Sequence, residues 1–222
     1  MKEFLKKIAS NLPVRFQQEL KRLMFSRQIR KNRFFTDEKE YSQIGRWLAE
    51  GDWVIDVGAN IGHYTKKFSE VVGASGRVIA FEPVPNTFEL LASNVALFEH
   101  NNVTLLNMAA SDSTDMLGMS IPSFQTGLKN YYRAHLTRDN ADISVMTFPV
   151  DAMSLPPKVR LVKIDAEGHD LSVLKGMKKI LEDSHPVILI EDDSAEIGEY
   201  LSGIGYTGER IEDSHNTVFV HG

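Results

Sequence analysis

The sequence predicts a doubly wound α/β fold, a mostly parallel sheet with helices on both faces. Three observations predict it. Short apolar runs alternate with helix-period segments from residue 53 onward. The first run opens into a glycine-containing turn that leads directly into a helix. The last two runs are joined by only about five polar residues, Glu212–Asn216. That link is too short for a parallel crossover, so the chain should end in an antiparallel hairpin.

Each element follows from its pattern. "WVIDV" (53–57) reads as a buried strand, followed by a helix to about Val72. "RVIAFE" (77–82) is a second strand, with a helix from Pro85 to about Phe98, and "NVTLLNMA" (102–109) is a third. "RLVKIDA" (160–166) is a fourth, followed by a helix over 170–182, and "PVILIED" (186–192) is a fifth, followed by a helix over 194–203. Near-continuous apolar strands separated by helices call for a sheet covered on both sides, with ligands at the strands' carboxyl ends. The roughly 50 residues between strands three and four carry two further strand-like runs, 116–124 and 143–151, around a loop with Gln125, Tyr131, Tyr132 and His135. An interruption of that length reads as a substrate-binding insertion.

The N-terminal part differs in character. Residues 2–12 and 14–30 read as amphipathic helices interrupted near Pro13, with Phe16, Leu20, Leu23 and Met24 in an apolar stripe. A further helix is predicted over 38–50, ended by Gly51. Residues 1–35 hold ten Lys or Arg and two Glu, a charge of +8, while the remainder carries −13. A basic head on an acidic body points to an anionic partner or a membrane surface for residues 1–35, or to docking on the body itself. The organisation expected is a basic cap or docking segment over 1–40 and one α/β domain over 41–222, with the insertion at 113–159.

Composition excludes other classes. With 42% hydrophobic and 25% charged residues, the 222-residue chain has ordinary globular chemistry. No run approaches the roughly 18 apolar residues of a membrane span. The opening "MKEFLKKIASNLPVRF" lacks the apolar block of an export signal, so a cytoplasmic location is expected. The absence of cysteine excludes disulfides, thiolate metal sites and a cysteine nucleophile. Nothing in the pattern calls for a nucleic-acid partner.

Three stretches carry the chemistry. In "DVGANIG" (56–62), Asp56 closes the strand, and Gly58 and Gly62 allow a tight turn and close approach of a ligand to the backbone. Asn60 sits where left-handed dihedrals are expected, which Asn tolerates best after Gly. The glycine spacing does not match the dinucleotide fingerprint. Glu82 ends the second strand 24 residues after Gly58, where an acid can bind ribose hydroxyls, and Pro83 can pack on an adenine edge. Ser111 and Asp112 follow the third strand and can reach the base. In "KIDAEGHD" (163–170), Asp165, Glu167, His169 and Asp170 crowd one strand tip beside the first. Asp165, Glu167 and His169, with Glu191, Asp192 or Asp193, could also ligate a metal, but their spacing follows no metal motif and none is assigned.

Together, "DVGANIG" (56–62), "VIAFEPVP" (78–85), "AASD" (109–112) and "VKIDAEGHD" (162–170) resemble the FkbM family of S-adenosylmethionine-dependent methyltransferases over about 52–192. The resemblance implies the Rossmann-like seven-stranded methyltransferase sheet with an antiparallel C-terminal strand, in agreement with the hairpin read above. It implies S-adenosylmethionine as cofactor, with Asp56, Gly58, Asn60 and Gly62 at its methionine end, Glu82 on the ribose, and Ser111 with Asp112 at the adenine. It also implies a hydroxyl acceptor on a small molecule or sugar. The family turn ends in Glu where this chain has Asp170, one methylene shorter. Methyl transfer to an alcohol needs alignment and a base. His169 is the first candidate, Glu167 the second, and Asp165 a positioning group. Two readings from other classes stay open: an NAD(P)-dependent oxidoreductase, and a binding module that retains the fold without activity.

Overall fold

A computed structural model gives the structure of the chain and describes residues 13–124, 129–156, 159–191, 194–212 and 214–222. The strands β1 (Trp53–Val57), β2 (Arg77–Phe81), β3 (Val103–Leu106), β8 (Val159–Ile164), β9 (Val187–Ile190), β10 (Tyr206–Arg210) and β11 (Thr217–His221) form one seven-stranded sheet. Its order is β10-β11-β9-β8-β1-β2-β3. The pairs β1–β2, β2–β3, β1–β8 and β8–β9 are parallel, whereas β11 runs antiparallel to both β9 and β10. The terminal hairpin is therefore present, and β11 is the strand that reverses the sheet.

Alternation along the strands explains why they read as continuous apolar runs. Ile55, Ile79, Val162 and Ile188 enter one core with Leu174, Leu181, Ile197 and Leu201 from the helices α4 (Asp170–Lys175), α5 (Lys178–Ser184) and α6 (Ala195–Ser202). Val54, Val78, Leu161 and Leu189 enter the other with Tyr64, Phe68 and Val72 of α2 (His63–Val72). Period-two burial on both faces leaves no polar side in the central strands. Each such side chain contributes about 1.5–3 kcal/mol by leaving water.

Four elements differ from the sequence reading. The third strand stops at Leu106, because the Asn107 side-chain amide donates to the carbonyls of Glu82 (2.8 Å) and Pro83 (3.1 Å) and turns the chain. Ala109–Ala110 then form β4, which pairs with β7 (Ile143–Phe148) in a second sheet, order β4-β7-β5-β6. In that sheet β5 is Asp115–Ser120, and β6, His135–Thr137, is a strand inside the segment read as loop. The helix expected over 170–182 is broken at Gly176, where a Cβ would lie 1.8 Å from the Ser111 carbonyl oxygen. The helix expected over 38–50 shrinks to a 3-10 turn at Glu40–Arg46, whose Ile44 is still fully buried.

At the N-terminus, α1 (Val14–Arg30) forms as expected, whereas residues 2–12 lie outside the described residues. Its buried face differs from the predicted stripe. Phe25 and Ile29 join Phe34, Ile61 and Leu90 in a small core against α3 (Pro85–Val95), while Phe16, Leu20, Leu23 and Met24 face outward. Among the described residues no helix is long and apolar enough to cross a membrane.

Candidate active site

The opening turn is built by backbone constraint. Gly58 has φ +75°, Asn60 φ +51° and Gly62 φ +95°, so the chain turns through three left-handed residues before α2 starts at His63. Asn60 is in the conformation its residue type predicts. Gly58 has a second reason to be Gly: a Cβ there would lie 2.0 Å from the Asp165 carbonyl oxygen. The β1 and β8 turns are thus packed backbone to backbone, which brings "DVGANIG" and "IDAEGHD" to one crevice.

The crevice is a cavity of about 420 Å³. One wall holds Gly58, Asn60, Glu82 and Pro83, another Asp165, Glu167, His169 and Glu191. The third comes from the insertion, with Met119, Tyr131, Tyr132, Arg133 and Leu136. Asp56, Gly62, Ser111 and Asp112 are not among the lining residues: Asp56, Gly62 and Ser111 are buried, and Asp112 is exposed. The sequence reading put all four in contact with cofactor.

Glu82 is buried, and each of its carboxylate oxygens accepts a backbone N–H, from Asn60 and from Val84, both at 2.9 Å. These bonds fix the carboxylate at the cavity wall and leave further lone pairs on both oxygens. Burial pushes its pKa up to about 7 against the pull of those two N–H groups, and Asp165 and Asp56 add to the rise.

Beneath the turn lies a charged layer the sequence reading did not single out. Asp56 is fully buried and accepts a 2.6 Å bond from the Thr65 hydroxyl. Burial raises its pKa, opposed by Lys163 and Thr65, and its Oδ1 has no partner among the described residues. Lys163, on the neighbouring strand, is paired in register with Asp56. Its Nζ lies 3.1 Å from Asp165 Oδ2 and 4.9 Å from the centre of the Tyr64 ring. Burial works to lower the Lys163 pKa, but Asp165 and Asp56 outweigh it and hold it above the ordinary value. The available signal was a lone lysine inside "RLVKI", an otherwise apolar buried strand.

His169 caps α4, and its Nε2 lies 2.8 Å from the Ser111 hydroxyl. Ser111 in turn donates to Asp112 Oδ1 at 3.3 Å. Asp112 is acceptor-only when ionised, so this chain places the His169 proton on Nε2 and the lone pair on Nδ1. Burial lowers the His169 pKa, and Asp112 and Asp170 oppose that. Asp170 itself does not line the cavity. Its carboxylate accepts from the N–H groups of Ala166 (3.2 Å) and Gly168 (3.1 Å), which pins the turn. Within that turn Glu167 has φ +48°, an unusual conformation for Glu, and its pKa is raised by burial and Asp165 against Arg133. Glu191 is held up to about 7 by burial and by Asp165 beside it.

Among the described residues no group of three or more His, Asp or Glu is arranged to hold a metal ion. Asp192, Asp193 and Gln125 lie outside the described residues. An adenosyl sulfonium ligand fits the donor set: a fixed, buried carboxylate for a diol, a glycine-lined turn, and acidic groups that favour a cation.

Comparison with known proteins bears on the family and the fold. The sequence model of the methyltransferase FkbM domain matches residues 56–207. The hexuronic acid methyltransferase AglP of Haloferax volcanii is 31% identical over 143 residues, 63% of this chain and 56% of that protein. A cobalt-precorrin-6B C(15)-methyltransferase assigned in Sulfurisphaera tokodaii is 31% identical over 80 residues, 36% of this chain and 42% of that protein. The chain spans about half the length of the curated relatives it matches. The crystal structure of methyltransferase FkbM from Methylobacillus flagellatus superposes with TM-score 0.54 at 17% identity, covering 77% of this chain and 43% of that one. A Geobacter sulfurreducens methyltransferase superposes with TM-score 0.52 at 12% identity, covering 99% and 95%. These last two likenesses concern the fold.

Proposed function

The chain belongs to the FkbM methyltransferase family, whose cofactor is S-adenosylmethionine, and on that premise we propose that it methylates a hydroxyl group of a sugar or related small molecule. The observation that carries this reading is the meeting, in one cavity, of the Glu82 wall, the His169 turn and an aromatic and basic wall from the insertion.

The cofactor supplies an electrophilic methyl group on a cationic sulfur. The chain's own residues do the rest. Glu82 is placed to accept from the ribose hydroxyls, and the Gly58–Gly62 turn leaves its backbone open to the amino-acid tail. Pro83 offers an apolar edge to the base. Asp56 and Lys163 set the shape and charge beneath the turn. His169 is the base: Ser111 and Asp112 orient its ring so that Nδ1 can take the proton of the acceptor hydroxyl. Glu167 and Asp165 hold the acceptor or the cofactor ammonium. The insertion covers the cavity and excludes water.

Arg133 favours an acidic sugar as acceptor. It lines the cavity, and among the described residues its guanidinium makes no close ion pair, although its charge acts on Glu167. A carboxylate on the acceptor would fit it. The name of the Haloferax volcanii relative, a hexuronic acid methyltransferase, suggests the same class.

Calorimetry with S-adenosylhomocysteine, followed by methyl transfer from labelled cofactor to glucuronate and to glucose, tests the proposal. Tight binding lost in Glu82→Ala, with transfer preferring the uronate, is expected. No binding of S-adenosylhomocysteine would overturn the reading. Binding without transfer to any hydroxyl acceptor would favour a module that keeps the fold and lacks the reaction.

A further inference from the structure

Helix α1 has two apolar faces. One is docked: Phe25 and Ile29 are buried, and Gln18 donates to the Asn86 carbonyl at 3.2 Å. The opposite side shows Phe16, Leu20, Leu23 and Met24, at positions i, i+4, i+7 and i+8, so they form a single stripe. Phe16 is 63% exposed and Leu23 67%. Just past the helix, Phe35 is also exposed. Isolated exposed apolar side chains are ordinary, but four on one face of a helix otherwise held by its other side are not.

The charge around this stripe has one sign. Arg15, Arg27, Arg30, Lys31 and Arg33 are exposed and have no ion pair among the described residues. Glu19 is the one acid of α1, and Arg22 neutralises it at 2.8 Å. At 100° per residue, Arg27 and Lys31 continue the apolar stripe toward the C-terminal end, and Arg30 flanks it. A protein partner of ordinary surface would meet three uncompensated cations, Arg27, Arg30 and Lys31, on this side. An anionic bilayer meets both needs: acyl chains take the Phe and Leu side chains, and headgroups take the cations.

We infer that the outer face of α1 docks the protein in the plane of an anionic lipid surface. At 17 residues the helix is about 25 Å long, enough for an in-plane contact of this kind. The inference is independent of the acceptor, because none of the stripe residues lines the cavity.

Sedimentation of the full chain with vesicles tests it. Vesicles of phosphatidylcholine with about 30% phosphatidylserine should pellet the protein, pure phosphatidylcholine should not, and high salt should release it. Phe16→Ser with Leu20→Ser and Leu23→Ser, and separately Arg27→Glu with Arg30→Glu and Lys31→Glu, should each weaken binding at least about tenfold. Both sets are on the surface, and unchanged S-adenosylhomocysteine binding would show that the variants are folded. No pelleting of the wild type with the anionic vesicles would overturn the inference. So would pelleting of both variants to the same extent as the wild type. A dimer in sedimentation velocity that the serine variant dissociates would also overturn it, since a second copy would then occupy the face.

Discussion

The Ser111 hydroxyl lies 2.8 Å from His169 Nε2 and 3.3 Å from Asp112 Oδ1, so a residue after β4 orients a ring on the turn after β8. Burial lowers the His169 pKa from its ordinary value, which favours the neutral, base-competent imidazole. Activity should therefore fall on the acid side only as pH drops through that lowered value. His169→Ala should reduce kcat by about 10²–10⁴-fold and leave S-adenosylhomocysteine affinity unchanged. Asp112→Asn removes a charge that raises the His169 pKa, so its acid limb should move to still lower pH. A pH–rate profile for each variant checks this.

Glu82 gives two trends of opposite sign. A pKa of about 7 in the folded apo protein, against 4.5 ordinarily, means that folding favours the protonated acid. That stability is fully present below pH 4.5 and is lost as pH rises through 7, amounting to about 3 kcal/mol. The apo melting temperature should fall across this window, and Glu82→Gln should flatten the trend. In the proposed role Glu82 accepts from the ribose hydroxyls in its ionised form, so S-adenosylhomocysteine affinity should rise with pH up to about 7. Proton release measured in buffers of different ionisation enthalpy would report the same event.

Lys163 holds the charge layer together. Lys163→Met would leave Asp56 buried without its counter-charge, at a cost of about 3–5 kcal/mol. Adding Asp56→Asn should recover part of that loss, because the orphaned charge is gone. Chemical denaturation of the single and double variants measures the coupling. Equal stability of the two would remove the pairing from the account.

Glu167 is held at φ +48° at the cavity wall. A non-glycine residue in that region costs about 1–2 kcal/mol, less for Asn. Glu167→Asn should therefore raise stability by about 1 kcal/mol while lowering methyl transfer. A gain in melting temperature without loss of activity would mark the strain as incidental.

Much of the site was legible in the chain. Asn60 announced a left-handed turn, and Glu82 and the 165–170 cluster fell at strand tips because strands alternate with helices. What was not legible depended on contacts between distant segments. Ser111 reads as a group for the adenine base, and only the fold shows its hydroxyl on His169, 58 positions away. Asp170 reads as one more active-site acid until both oxygens are found on backbone N–H groups of its own turn. The outward direction of the stripe on α1 was not legible, because an amphipathic pattern says which residues share a side, not which side meets the core.

The sequence by itself determined the alternation of strands and helices, the reversed final strand and the chemical types at each strand tip. These are local properties, set by hydrophobic period, turn chemistry and link length. Only the tertiary structure decided which of those groups reach the cavity and which do not. Gly58 against the Asp165 carbonyl, Gly176 against the Ser111 carbonyl and Lys163 between two carboxylates are close approaches of chain segments far apart in order. Dense packing leaves room for one arrangement of them, and that arrangement decides which side chains line the cavity.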